Sequence, residues 1–165
     1  MNYKKNNLVT IINESIQNLS ESHSGRESAL ANCRRSIQKS SSSIRASHRN
    51  QFDEALVLAN ESKESLEKAK DALKPFYLNI NTVFFLDTEK EYCEAMLVYS
   101  FLSESNIPTP EDLQVTTSSY LKGLAEASSE LRRTSLDSIR KSNYELADNY
   151  LGIMNEVTDL LETID

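Results

Sequence analysis

Glycine and proline, three of each in 165 residues, limit most sharply what this chain can fold into. Both fall well below ordinary usage. The residues between them are rich in Ala, Leu, Ser, Glu and Lys. Few tight turns are available, and there is no room for a many-stranded sheet. The chain therefore reads as all-α. Its length suits one domain, residues 1–165, with enough chain to bury a real core.

Apolar periodicity places the helices. Leu8, Ile11, Ile12, Ile16 and Leu19 recur at three- and four-residue steps, and Ala29, Cys33, Ile37 and Ile44 continue the pattern. Residues 6–47 thus form one long helix or two collinear ones. Gly25, which costs about 1 kcal/mol relative to Ala, marks a place where that helix would bend or break. The serine run 40–43 is poor helix material, yet Ile37 and Ile44 bracket it in phase. It is expected to be a solvated or closely packed face rather than a linker. A second helix follows, with Phe52, Leu56, Leu58, Ala59, Leu66, Ala69 and Leu73 facing inward. Pro75 is expected near the start of a third helix running to about Ser103. A loop with a short helical turn covers "SNIPTPEDL". The threonines and serines at 116–119 offer N-caps for a helix from about Ser119 to Lys141, and Ser142 or Asn143 caps the last. The architecture is an antiparallel bundle of five to seven helices.

The formal charge of −7 and the pI near 5.0 argue against a general nucleic-acid coating protein. The charge is uneven, however. Arg26, Arg34, Arg35, Lys39, Arg45 and Arg49 lie between Gly25 and Asn50 with Glu27 as the only acid, and His23 and His48 stand at the edges. Cys33 and Cys93 sit at apolar helical positions with no metal spacing, as expected of reduced, buried thiols. The N-terminus lacks the apolar region of a signal peptide. No apolar run approaches the ~20 residues that cross a bilayer. A soluble, cytoplasmic protein with no membrane partner is expected.

The chemistry starts from "EYCEAMLVYSFL", residues 91–102. At ~100° per residue, Glu94 falls among Leu97, Val98 and Phe101, inside the apolar face. Glu91 lies one turn earlier on the same side. A carboxylate left unpaired there costs several kcal/mol. A basic partner, a raised pKa or a metal ion would each relieve it, and oxygen-only ligands suit Mg²⁺ or Mn²⁺. Glu126 and Glu130 form a second acidic pair. They point away from Leu121, Leu124 and Leu131 toward Lys122 and Arg133, so by themselves they read as a solvated face.

Three segments together resemble the translin and translin-associated factor X family. "EYCEA" is similar to the E-Y-x-E-A of translin-associated factor X. "SSYLKGLAEASSELRR" and the helix after it resemble the family's D-Y-L-x-G-[LV]-A-D-x-x-G-E-L-x-R. "RESALANCRRSIQKSSSSIRASHR" is similar to its long first helix with a terminal His-Arg. The resemblance implies a translin-like bundle. It further implies a metal-dependent endoribonuclease acting on single-stranded RNA, with Glu91, Glu94, Glu126 and Glu130 as catalytic and metal-binding residues and Mg²⁺ or Mn²⁺ as cofactor. Translin itself lacks the first acidic pair and mainly binds nucleic acid, so the implied alternative is a non-catalytic oligomer binding single-stranded RNA or DNA. Glu126 stands where the family has Asp, and Ser128 and Ser129 replace its small residue and Gly. The family assembles into hollow octamers with the sites facing inward, and the length is similar to that of archaeal members. Arg34, Arg35, Arg45, Arg49, Arg132 and Arg133 are candidates for holding phosphates. Tyr92 and Tyr120 suit base stacking, with core or interface packing preferred.

Overall fold

The computed structural model describes residues 2–76 and 82–164, with side chains from residue 7 onward. Six α-helices and a 3₁₀ turn make up the fold, with no strand among the described residues. They are α1 (Asn2–His48), α2 (Phe52–Leu73), α3 (Val83–Ser103), α4 (Pro110–Leu113), α5 (Thr117–Arg140) and α6 (Tyr144–Leu161); the 3₁₀ turn is Lys74–Phe76. No described helix is long and apolar enough to cross a membrane.

The first helix does not break at Gly25. Instead the glycine admits a neighbour: a Cβ there would lie 2.6 Å from the Phe76 ring and 3.0 Å from the Ala72 carbonyl oxygen. Asn50, at φ 57°, reverses the chain after α1, so α2 returns along it. At ~1.5 Å per residue α1 is about 70 Å long and α2 about half that. Only the second half of α1 is therefore covered. Ser22 is its first buried side chain, and Leu8, Ile12, Ile16 and Leu19 stand 50–70% exposed.

Small residues line the α1–α2 seam. Ser36 and Ser40 each place Oγ 2.8 Å from Ser62 Oγ, and Ser43 Oγ donates to the Ala55 carbonyl at 2.7 Å. These bonds offset the cost of burying hydroxyls. Ser47 is the exception: its buried Oγ has no partner among the described residues. The serine run is thus a closely packed face. This seam also changes the inward face expected for α2. Ala55, Ala59, Ser62, Leu66, Ala69 and Leu73 are buried, whereas Leu56 is 37% exposed. A reading that seeks only large apolar residues misses a contact face made of Ala and Ser. Pro75 likewise does not open the third helix. Lacking an N–H, it ends α2 in the 3₁₀ turn, and α3 begins only at Val83. The start expected between them falls partly on 77–81, outside the described residues.

Helix α3 is the centre of the molecule. Phe85, Tyr92, Cys93, Ala95, Leu97, Val98 and Leu102 are buried on several sides of it, as expected for a helix wrapped by neighbours. It packs against α1, α2 and α5, and α6 packs on α5. Two features set α5 against α3. The buried Glu89 accepts bonds from Thr116 N–H (3.2 Å) and Oγ1 (2.8 Å), holding the residue that caps α5. Two turns on, Gly123 lets the helices nearly touch: a Cβ there would lie 2.6 Å from Cys93 Cβ and 2.9 Å from the Lys90 carbonyl. Thr116 and Asn143 cap α5 and α6 as expected, the latter accepting from Leu146 N–H at 3.3 Å. Among the described residues the bundle is all-helical.

Candidate metal centre

Two helices bring the first acidic pair together with Glu126 of the second. Glu91, Glu94 and Glu126 each offer a carboxylate oxygen within 4.8 Å of the others. Glu91 and Glu94 come from one face of α3; Glu126 crosses from α5, one turn beyond Gly123. The expectation of a solvated face for Glu126 holds in part: its side chain is 45% exposed, yet the close approach of the backbones at Gly123 also brings its carboxylate to α3.

Lys90 lies inside this cluster. Its Nζ donates to Glu126 Oε1 and Oε2 at 2.8 and 2.7 Å and stands 3.1 Å from Glu91 Oε1. Burial alone would pull the ammonium down; the bonds to Glu126 and Glu91 outweigh it and push the pKa up to about 12. No hydrogen bond or ion pair reaches Glu94 among the described residues, although it is only 9% exposed. Burial, followed by the charges of Glu91, Glu126 and Glu130, pushes Glu94 up to about 7, with Lys90 opposing. Two of the three solutions open to a buried carboxylate are therefore present: a basic partner for Glu91 and Glu126, and a raised pKa for Glu94. The donor set also fits the third. Three convergent oxygens, one of them without a partner, suit a hard divalent cation such as Mg²⁺ or Mn²⁺.

Glu130 stands apart from the three. Its Oε2 is 2.8 Å from His48 Nε2, and His48 Nδ1 is 3.1 Å from Thr134 Oγ1. The imidazole, 5% exposed, closes the C-terminal end of α1 over α5. A cleft of about 280 Å³ opens beside it, lined by Ser41, Ile44, Arg45, His48, Glu91, Glu94, Glu130 and Arg133. Arg45 and Arg133 thus flank the carboxylates. Arg132 lines an adjoining hollow along α5 with Arg133 and Arg140. Arg49 bonds Gln51 in the turn after α1, while Arg34 and Arg35 are exposed farther back on that helix. Tyr92 is 2% exposed and belongs to the core, which removes it from base stacking; Tyr120 donates its hydroxyl to the Pro108 carbonyl at 2.8 Å. Both cysteines are free and buried.

Sequence reasoning missed Lys90, His48 and Thr134. Adjacent residues on a helix do not face each other, so a Lys beside Glu91 carried no local signal of its cross-helix bond. For His48 the signal was there, in the terminal His-Arg of the resemblance.

No protein-family model matches the chain. An uncharacterized protein of Methanocaldococcus jannaschii is 27% identical over 158 residues, covering 93% of this chain and 69% of that protein. Among solved structures, that of AfC3PO with duplex RNA matches with a TM-score of 0.83 at 28% identity, over 92% of this chain and 78% of that one. The crystal structure of AfC3PO gives 0.80 at 27%, with the same coverage. Apo-NeC3PO gives 0.68 at 20%, over 93% and 95%, a likeness of fold alone. These are C3PO structures of the translin and translin-associated factor X family, and the chain is similar to them in fold and, at 27–28% identity, in sequence.

Proposed function

We propose that this chain is a subunit of an RNA-binding translin-type oligomer, and that Glu91, Glu94 and Glu126 hold a divalent cation with which it cuts single-stranded RNA. The observation that carries the reading is the cluster itself: three carboxylates within 4.8 Å across two helices, the most buried of them without a partner. Such an arrangement is costly unless a cation neutralises it. A bound Mg²⁺ or Mn²⁺ would supply Lewis-acid charge at a scissile phosphate. The chain's own residues do the rest. Glu91 and Glu94 present their oxygens from one rigid helix face, and Glu126 closes the set from α5. His48 holds Glu130 at the edge of the cleft, where its carboxylate faces the same opening. Arg45 and Arg133 flank that opening and are placed to grip neighbouring phosphates, with Arg34, Arg35, Arg49 and Arg132 extending the basic surface.

RNA as the ligand class is supported by the duplex RNA bound in the AfC3PO complex. Assembly into a homo-oligomer, an octamer by the family resemblance, is supported by the exposed apolar stripe of α1. A second reading, RNA binding without cleavage, is favoured by one observation: Lys90 already neutralises part of the cluster.

The test incubates the protein with a labelled single-stranded RNA and a duplex of the same sequence. Mg²⁺, Mn²⁺ or EDTA is added in parallel. Cleavage of the single strand that needs the ion and is lost in Glu94→Ala is the expected result. Salt-dependent binding of either RNA with no cleavage under any condition selects the binding-only reading.

A further inference from the structure

We propose that Lys90 is a tethered counter-ion of the carboxylate cluster, an ammonium that competes with the divalent cation and is displaced when one enters. The inference rests on the metal-binding reading of Glu91, Glu94 and Glu126. Lys90 engages both oxygens of Glu126, at 2.8 and 2.7 Å, and stands 3.1 Å from Glu91. A divalent cation drawing on the same oxygens would sit against the ammonium, two cations sharing one carboxylate at contact distance. Their repulsion at that range makes joint occupancy unfavourable.

Which cation wins follows from what Lys90 leaves undone. Its three donors reach Glu126 and Glu91 but not Glu94, so the buried carboxylate keeps its deficit. An ion held by all three carboxylates removes that deficit; the ammonium does not. Lys90 is also free to leave. Its side chain is 18% exposed, and a lysine ends in a strongly hydrated point charge on a flexible four-carbon stem. It can withdraw into water without moving α3. The consequence is a threshold. Lys90 keeps α3 and α5 together at low metal and lowers the apparent affinity, so only ions that satisfy Glu94 as well take the site.

The test is Mn²⁺ binding to the full chain, read from the electron paramagnetic resonance signal of free Mn²⁺. Lys90→Gln is expected to bind at least tenfold more tightly than wild type, and adding Glu94→Ala to it should abolish that binding. Metal-free Lys90→Gln should melt lower than wild type and gain more in melting temperature from Mn²⁺. If wild type binds Mn²⁺ and Lys90→Gln binds it equally or more weakly, Lys90 is only a tie between helices; the inference falls and the metal site stands. If neither binds, both fall. Lys90→Arg covers a Gln variant that does not fold. A guanidinium grips a carboxylate through a planar fork and is harder to displace, so Mn²⁺ binding should weaken several-fold. Unchanged binding in that variant overturns the inference.

Discussion

Replacing Glu94 with glutamine is expected to make the metal-free protein more stable at neutral pH while removing its response to a divalent cation. Burial and the neighbouring carboxylates push Glu94 from its ordinary 4.5 up to about 7. The folded state therefore holds this proton more tightly than the unfolded chain does. Between those two values the unfolded chain has released the proton and the folded state has not. Each rise in pH then favours unfolding, and stability falls through the window and levels off above it. At about 1.4 kcal/mol per pH unit, the loss accumulated between 4.5 and about 7 is on the order of 3 kcal/mol by pH 8. A glutamine keeps the shape and carries no charge. Its amide can donate to the adjacent carboxylates, although a buried amide with an unfilled bond gives back about 1–2 kcal/mol. The expected net gain at pH 8 is about 1–2 kcal/mol, shrinking as the pH falls and turning into a loss of about 1 kcal/mol near pH 4.5, where only the cost of the amide remains. Urea unfolding of both proteins across that range in EDTA measures it. Adding Mn²⁺ should raise the melting temperature of wild type and leave Glu94→Gln unmoved. A structural Glu94 that serves as partner to Lys90 gives the opposite sign, because removing it strands a cation. A variant less stable than wild type at pH 8, or a difference independent of pH, refutes the reasoning.

Gly123→Ala should destabilise by about 1–2 kcal/mol: overpacking against Cys93 and the Lys90 backbone outweighs the roughly 1 kcal/mol gained in helix propensity. The same variant should weaken Mn²⁺ binding by pushing Glu126 away from α3, and wild-type stability with wild-type binding would show that the close approach does not matter. Two serines of the α1–α2 seam are expected to respond in opposite directions in urea unfolding. Ser62→Ala strands Ser36 and Ser40 and costs about 1–3 kcal/mol, whereas Ser47→Ala removes a buried hydroxyl without a partner and stabilises by about 1 kcal/mol. Ile12→Asp with Ile16→Asp should reduce the assembly measured by light scattering and leave the monomer's helical circular dichroism intact, since both side chains are at least half exposed in the single chain.

Much of the fold was legible because helices announce themselves locally. Thr116 and Asn143 cap where their side-chain chemistry predicts, and the long first helix follows its apolar phase. What failed was not local. The inward face of α2 depends on α1 presenting serines, so Ala55 rather than Leu56 makes the contact. Pro75 looked like a helix start because proline suits the first turn of a helix; it proved to be an end.

The candidate site divides the same way. The sequence by itself determined that Glu94 lies in an apolar face and needs relief, because helical periodicity alone places it among Leu97, Val98 and Phe101. It also determined that Glu126 and Glu130 share a face of another helix. Only the tertiary structure decided that Glu126 meets Glu91 and Glu94, that Lys90 bridges two of them, and that His48 takes Glu130. The physical reason is that hydrogen bonds and charge pairs between helices depend on distances of a few ångströms. Those distances are set by how closely two backbones approach, and here a missing side chain at Gly123 sets them.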